Sequence, residues 1–216
     1  MNPLQPVKLA CPPPATPRTA VGCLILPRPR AAIDLLRGPL AAGWRSRSGG
    51  EPDWKLDRGV LEIVPGTGDI VTCRSFDDFQ LHVEFWLPHM PEARGQDRAN
   101  SGIYLQGRYE LQLLDSPRGR LTAEDCGAIY SVSAPLHDAS LPAGHWQSFD
   151  VYFRSARRLL DPRVTVVHNG VLVQNNLALP GPTPGALHLQ ERAGRGPILL
   201  QDHGAAVRFR NMWLLF

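Results

Sequence analysis

In RVTVVHNGVLVQNN, residues 163–176, two β-branched runs flank Asn169-Gly170. An Asn-Gly pair accepts positive φ at two successive positions, which a two-residue hairpin requires, so this stretch is predicted to fold back on itself as antiparallel strands. The same short period runs along the chain. GVLEIV (59–64) alternates and stops at PGTG, DIVTC (69–73) and FQLHVEFWL (79–87) follow, and further strands are expected at 101–106, 127–131, 147–154, 197–201 and 206–215. Nothing between them sustains a helical apolar period. About eleven short strands joined by Gly/Pro turns imply an all-β fold, an antiparallel β-sandwich of the jelly-roll kind with helix confined to loops.

The 216 residues are enough for one such core, since all-β sandwiches of this length form single domains. Nine of the 21 prolines fall within residues 1–39, so residues 1–34 are expected to form an extended or loosely draped tail and residues 35–216 the domain. The formal net charge is only +3 and the arginines are scattered among acids, which argues against a nucleic-acid partner. No apolar run approaches the ~20 residues of a membrane span. The N-terminus carries no basic start followed by an apolar stretch of ~7 to 15 residues, so no signal peptide is expected and a cytoplasmic location is the direct reading.

Covalent amine chemistry has only Lys8 and Lys55 to draw on, one in the tail and one beside a turn. Cys11, Cys23, Cys73 and Cys126 are far apart and lack CxxC or His-flanked spacing, which argues against structural zinc and leaves disulfides permitted without demanding them. Cys126, in EDCGAIY, reads as a buried small side chain.

YELQLLDS (109–116) raises the sharpest chemical question. Strict alternation puts Glu110, Gln112 and Leu114 on one face and Leu111, Leu113 and Asp115 on the other, so Asp115 would point into the core. A β-bulge at Leu113 or Leu114 would return Asp115 to the face of Glu110 and Gln112 and display three polar groups together. The other reading is a strand with an ordinary solvated face, because Glu and Asp are seldom fully buried unless paired.

GVLEIVPGTGDIVT, DFQLHVEFWLP, NSGIYLQGRYELQLLDS, CGAIY, HNGVLVQNN and GPILLQDHGAAVRFRNMW, in this order, resemble the 3-keto-disaccharide hydrolase domain family over residues 35–216. The resemblance implies a concanavalin A-like jelly roll whose concave face holds carbohydrate, and an exported protein, against the missing signal peptide. It also makes YELQLLD similar to the E-x-D-x-x-E strand of glucanases on that fold, with Gln112 in place of the central acid and Asp115 in place of the last.

A retaining glycosidase needs two carboxyl groups ~5 to 5.5 Å apart, which a central Gln and a shortened last acid do not favour. A 3-keto sugar offers another route, because its ketone acidifies the C2 proton and the enolate can expel the oxygen on C1. The resemblance implies Glu110 or His203 as base, Arg208 or Arg210 as donor to the developing oxyanion, and Asp115 as acid or sugar ligand. Gln112 and Asn100 would bind hydroxyls, and Tyr104, Tyr109 and Tyr130 either stack on a sugar or fill the core. The structural readings are a loop histidine at His203 and surface ion pairs at Arg208 and Arg210.

The expected activity is therefore hydrolysis of 3-keto glycosides by elimination and water addition. A lectin-like carbohydrate-binding domain is the alternative, and a scaffold that keeps only the fold is the third reading. No cofactor is assigned, although a divalent ion such as calcium is common at the loops of such folds and acids here supply oxygen ligands. Cys73 stands where the family usually has lysine, and Ser140, Leu141 and His145 stand where it usually has Cys, Arg or Lys, and Glu.

Overall fold

Alternating side chains decide which strand faces are buried, and long-range pairing decides what they are buried against. The computed structural model describes residues 28–116, 119–158, 160–187 and 194–216. Residues 1–27 of the expected proline-rich tail lie outside the described residues.

The described strands, in chain order, are β1 (Ile33–Asp34), β2 (Trp44–Ser46), β3 (Lys55–Asp57), β4 (Val60–Glu62), β5 (Ile70–Thr72), β6 (Phe79–Trp86) and β7 (Ser101–Leu105). They continue as β8 (Tyr109–Leu113), β9 (Trp146–Arg154), β10 (Arg163–His168), β11 (Val171–Ala178), β12 (Leu199–Leu200) and β13 (Arg208–Leu215). One helical turn, α1 (Leu40–Gly43), and a short 3-10 turn at Gly95–Asp97 sit in connections. The larger sheet runs β11-β10-β9-β6-β13-β4-β3, with β1 pairing the second half of β13 beyond the end of β4. The smaller sheet runs β2-β5-β12-β7-β8, and every pairing is antiparallel.

This is the expected all-β sandwich. The Asn169-Gly170 turn is present, with φ of 50° and 80° and His168 opposite Val171. Strands β1, β2 and β3 come from a region whose sequence gave no strong alternation. Conversely, the strand expected over 127–131 is not continuous: Ile129 bridges Leu111 and Ser133 singly, while the Gln112 and Tyr130 amides donate to the Ala128 and Glu110 carbonyls. That segment caps the free edge of β8, and the covered edge leaves no open hydrogen-bonding row there.

Strand β6 illustrates how the core forms. Phe79, Leu81, Val83 and Phe85 are all buried between the sheets, where Phe85 stacks on Phe149 with centroids 4.7 Å apart. Its other face would be expected to meet water, yet His82 and Glu84 are buried too. A register shift in β13 around Asn211, whose φ is +44°, explains this. It brings Asn211 Nδ2 to 2.9 Å from Glu84 Oε1 and lets Trp213 stack on His82. Asp150 lies 2.7 Å from His82 Nδ1 and Arg210 lies 2.6 Å from Glu84 Oε2, so each buried polar group has a partner, as burial demands. The smaller sheet turns Ile70, Ile103, Leu111, Leu113 and Leu200 inward. Its outer face is left for the site.

Candidate active site

Strands β7 and β8 pair with Tyr104 opposite Glu110 and Gly102 opposite Gln112. With Leu111 and Leu113 packed inward, Glu110 and Gln112 project from the outer face of the smaller sheet, as the alternation requires. Both are nevertheless buried, because residues 183–187 fold across this face. Thr183 Oγ1 accepts from the Glu110 amide at 2.9 Å, and Leu187 packs on Val71, Tyr104 and Leu199. The remaining cleft holds about 160 Å3 and is lined by Gln96, Asn100, Tyr104, Glu110, Gln112, Tyr130, Pro184, Gly185, Gln201 and His203. That is about five times the liquid volume of a water molecule, the size of one sugar ring. None of these residues is Lys or Arg.

Glu110 is the chemical centre of this cleft. Burial pushes its carboxyl up to about 7, a hydrogen bond from Tyr104 draws it down, and the nearby Asp69 carboxylate adds to the rise. Tyr104 Oη donates to Glu110 Oε2 at 2.9 Å, with the Pro184 carbonyl 3.0 Å away as its other acceptor. Gln201 Nε2 donates to Tyr104 Oη at 3.3 Å. Burial first, then Glu110, raises the Tyr104 hydroxyl well above the ordinary phenol range, so Tyr104 acts as a neutral donor.

Two glycines leave room for this pair. A Cβ on Gly102 would lie 2.4 Å from Glu110 Oε1, and one on Gly185 would lie 2.4 Å from Tyr104 Oη. Behind them Arg47 joins Asp69 at 2.8 Å and the Ala186 carbonyl at 3.2 Å, tying the covering loop to β5's approach.

Amides line the opposite wall. Gln112 Nε2 donates to Gln96 Oε1 at 3.0 Å and to Asn100 Oδ1 at 3.3 Å, and Asn100 Nδ2 donates to the Gln96 carbonyl at 2.8 Å. Gln112 Oε1 and Gln201 Oε1 are buried acceptors with no donor among the described residues. Such groups are costly unless a donor reaches them, and the hydroxyls of a sugar are donors of the right size. Tyr130 lines the rim, where burial and the Glu124 and Glu110 carboxylates push its hydroxyl pKa upward.

The structure thus brings together Asn100, Tyr104, Glu110, Gln112, Tyr130 and His203. His203 is exposed and sits on the loop after β12, beside Asp202, whose carboxylate accepts from the Gly66 and Gly68 amides. Tyr109 faces the core against Phe153.

Asp115, Arg208 and Arg210 are not brought there. The β7–β8 pairing runs unshifted as far as Ser101 and Leu113 and ends there; beyond it Leu114 is buried as well as Leu113, Ala99 has a φ of +50°, and the Asp115 amide bonds the Arg98 carbonyl. Asp115 is ion-paired to Arg98 in a separate concavity of about 210 Å3 with Asp138, Ser140 and Leu141. The break in alternation after Leu113 thus turns Asp115 to a cation and not to the face of Glu110 and Gln112. Arg208 and Arg210 do share a face, but it is the outer face of the larger sheet. Arg208 pairs with Glu62 at 2.5 Å and lies over Trp86, and Arg210 pairs with Glu84 and lies over Trp146. Arg208→Ala is therefore expected to leave turnover within about twofold of the parent, since exposed ion pairs contribute little. A steady-state assay showing a loss comparable to that of a cleft variant would contradict this placement.

Among the positions that depart from the family pattern, none lines the cleft. Cys73 lies in a groove beside the 28–43 segment, Ser140 and Leu141 lie with Asp115, and exposed His145 has Nδ1 3.1 Å from the Pro142 carbonyl. Sequence reasoning missed Gln96, Gln201, Gly102 and Gly185. Only Gly102 carried a signal, as a glycine inside a strand, where close approach by another group is common. Among the described residues, no three His, Cys, Asp or Glu side chains converge as a metal ligand set. No described helix is long and apolar enough to cross a membrane.

Comparison with known proteins agrees with this fold. No curated protein sequence matches the chain. A crystal structure of a candidate glycosyl hydrolase from Parabacteroides distasonis ATCC 8503 is similar at 35% identity and a TM-score of 0.77, covering 86% of this chain and 83% of its own. Another from the same organism, at 21% identity and a TM-score of 0.57, covers 80% of this chain and 88% of its own and shares the fold. Family and neighbour point to glycosyl hydrolase or lyase activity in general. A 3-keto-alpha-glucoside-1,2-lyase-like domain model matches residues 31–215, and with it the chain belongs to that family.

Proposed function

We propose that this protein cleaves 3-keto glycosides by elimination, with Glu110 as the base. The observation that carries this reading is a buried carboxyl near pKa 7 in a cleft lined by amides and hydroxyls and by no Lys or Arg. A general base is most effective when its pKa lies near the working pH. Glu110 takes the proton from C2, and the electron pair left there forms the C1–C2 double bond as the C1–O bond breaks. The departing oxygen takes up a proton, a role assigned to exposed His203 on the rim of the cleft. Water then adds hydroxyl to C1 and hydrogen to C2, so the net change is hydrolysis.

The enolate oxygen at C3 needs a donor, and with Arg208 and Arg210 on the other sheet this role passes to the Tyr130 hydroxyl. Gln112 Oε1 and Gln201 Oε1 accept from ring hydroxyls, and Asn100 holds the Gln112 amide in place. Tyr104 positions Glu110 and keeps its carboxylate form accessible.

The test is release of the leaving sugar from a 3-keto-disaccharide and from its unoxidised parent, with deuterium incorporation at C2 followed in heavy water. Turnover of the keto sugar alone, with exchange at C2, is expected. Cleavage of both without exchange would overturn the elimination reading, and binding without turnover would make the protein a carbohydrate-binding domain.

Tyr104→Phe supplies a pH test. The hydrogen bond from Tyr104 favours the ionised carboxyl, so its loss raises Glu110 above about 7. Because the base must be ionised, the acidic limb of kcat/KM against pH is expected to move to higher pH. A shift to lower pH would mean that Tyr104 does not stabilise the carboxylate.

A further inference from the structure

A concavity of about 490 Å3, roomier than the Glu110 cleft, lies where the 28–43 segment passes the end of β5. Arg28, Arg30 and Arg37 line it from that segment and Arg74 from the other side, with Thr72, Cys73 and Phe76 on its wall. Four guanidinium groups face one carboxylate there, Asp34, which is taken by Arg28 at 2.6 Å. Arg30 and Arg37 are exposed and have no carboxylate partner among the described residues. Arg74 is held over the rings of Phe76 and Phe216, at 6.0 and 4.9 Å, and has none either.

The concavity around Asp115 is built differently, because the Arg98 that lines it is matched by a carboxylate. Cations that outnumber their counter-charges in one concavity repel one another and lower the potential energy of an anion placed between them. Guanidinium forks also match the geometry of tetrahedral oxyanions better than any other side chain does. Arg74, fixed over two aromatic rings, supplies a preorganised member of such a set.

We infer that this groove is an anion-binding site, separate from the Glu110 cleft, for an oxyanion of the phosphate or sulfate class, free or carried on a sugar. The cleft itself is lined by no Lys or Arg, so an acidic group on a sugar finds its counter-charge in the groove and not beside Glu110.

Cys73 is exposed on the groove wall and reports on its occupancy. Cys126 is buried, with its thiol pushed up to about 12, and stays silent. The full chain carrying Cys11→Ser and Cys23→Ser would be labelled with neutral N-ethylmaleimide while inorganic phosphate or glucose 6-phosphate is titrated at ionic strength held constant with sodium chloride. Saturable slowing of Cys73 labelling is expected, and Arg37→Ala should weaken it about tenfold, the worth of one charge-assisted hydrogen bond. Arg30→Ala serves as a second variant on an equally exposed residue. Equal protection by both anions identifies a free oxyanion as sufficient, and protection by the sugar phosphate alone identifies a sugar-borne one. Labelling no slower than in sodium chloride, or protection unchanged in both arginine variants, would overturn the inference. Neither outcome depends on turnover at Glu110.

Discussion

Glu110→Gln is expected to reduce turnover of a 3-keto glycoside by about 100- to 10,000-fold, the usual worth of a general base, while making the fold more stable at alkaline pH. The two effects share one cause. In the folded protein the Glu110 carboxyl keeps its proton up to about 7, whereas its ordinary value is 4.5. Between these values the unfolded chain binds fewer protons than the folded one, so stability falls as pH rises through this window. Above it the native protein carries a buried charge at a cost on the order of 3 kcal/mol. Glutamine has no such charge, keeps the shape of the side chain and still offers an oxygen to the Tyr104 hydroxyl. Urea unfolding at pH 8 should therefore give the variant a higher midpoint, and unfolding at pH 4 should show no gain. A variant equally stable at both pH values, or destabilised at pH 8, would mean that Glu110 is not held near 7. Sugar affinity that survives in an inactive variant would separate catalysis from binding.

Gly196→Ala is expected to destabilise the protein by about 3 kcal/mol or more, the range of overpacked or strained interior sites. A Cβ there would sit 2.3 Å from the Gln106 carbonyl oxygen and 2.8 Å from its Cα, which are backbone atoms and cannot swing aside. Gly196 also exchanges hydrogen bonds with Phe76 at 2.8 and 3.1 Å, and Gln106 Nε2 donates to the Phe76 carbonyl. The turn at Gln106 joins the two strands that carry Tyr104 and Glu110. The substitution should thus lower the urea midpoint and, in whatever remains folded, slow turnover. Gly194→Ala is the control for chain stiffness, because nothing lies within 4 Å of the added carbon, although its positive φ brings a smaller strain of its own. Equal stability of the Gly196 variant and the parent would show that the β7–β8 turn does not rest on this segment.

Much of the architecture follows from residues near each other in sequence. The alternation in FQLHVEFW assigns Phe79, Leu81, Val83 and Phe85 to one face, and all four are buried as that assignment requires. Asn169-Gly170 sets its hairpin through two residues that tolerate positive φ. The same parity rule places Glu110 and Gln112 together, and places Arg208 and Arg210 together.

Parity does not say which sheet a strand joins. Glu110 and Arg208 each lie on an outward face, yet the faces belong to opposite sides of the sandwich, so a donor expected beside the base stands behind the core instead. Asp115 makes the same point at shorter range. Its expected bulge answered the need to keep a carboxylate out of the core, but Arg98, 17 residues earlier, meets that need with an ion pair. The cleft's amide wall depends on Gln96 and Gln201 arriving from distant loops, and its raised carboxyl depends on the 183–187 segment excluding water. Local chemistry was enough for the period-two faces, the hairpin turn and the family resemblance. Which polar groups meet depends on the folded chain, because strand order is set by contacts between remote segments and a side chain's charge chemistry is set by the burial those contacts create.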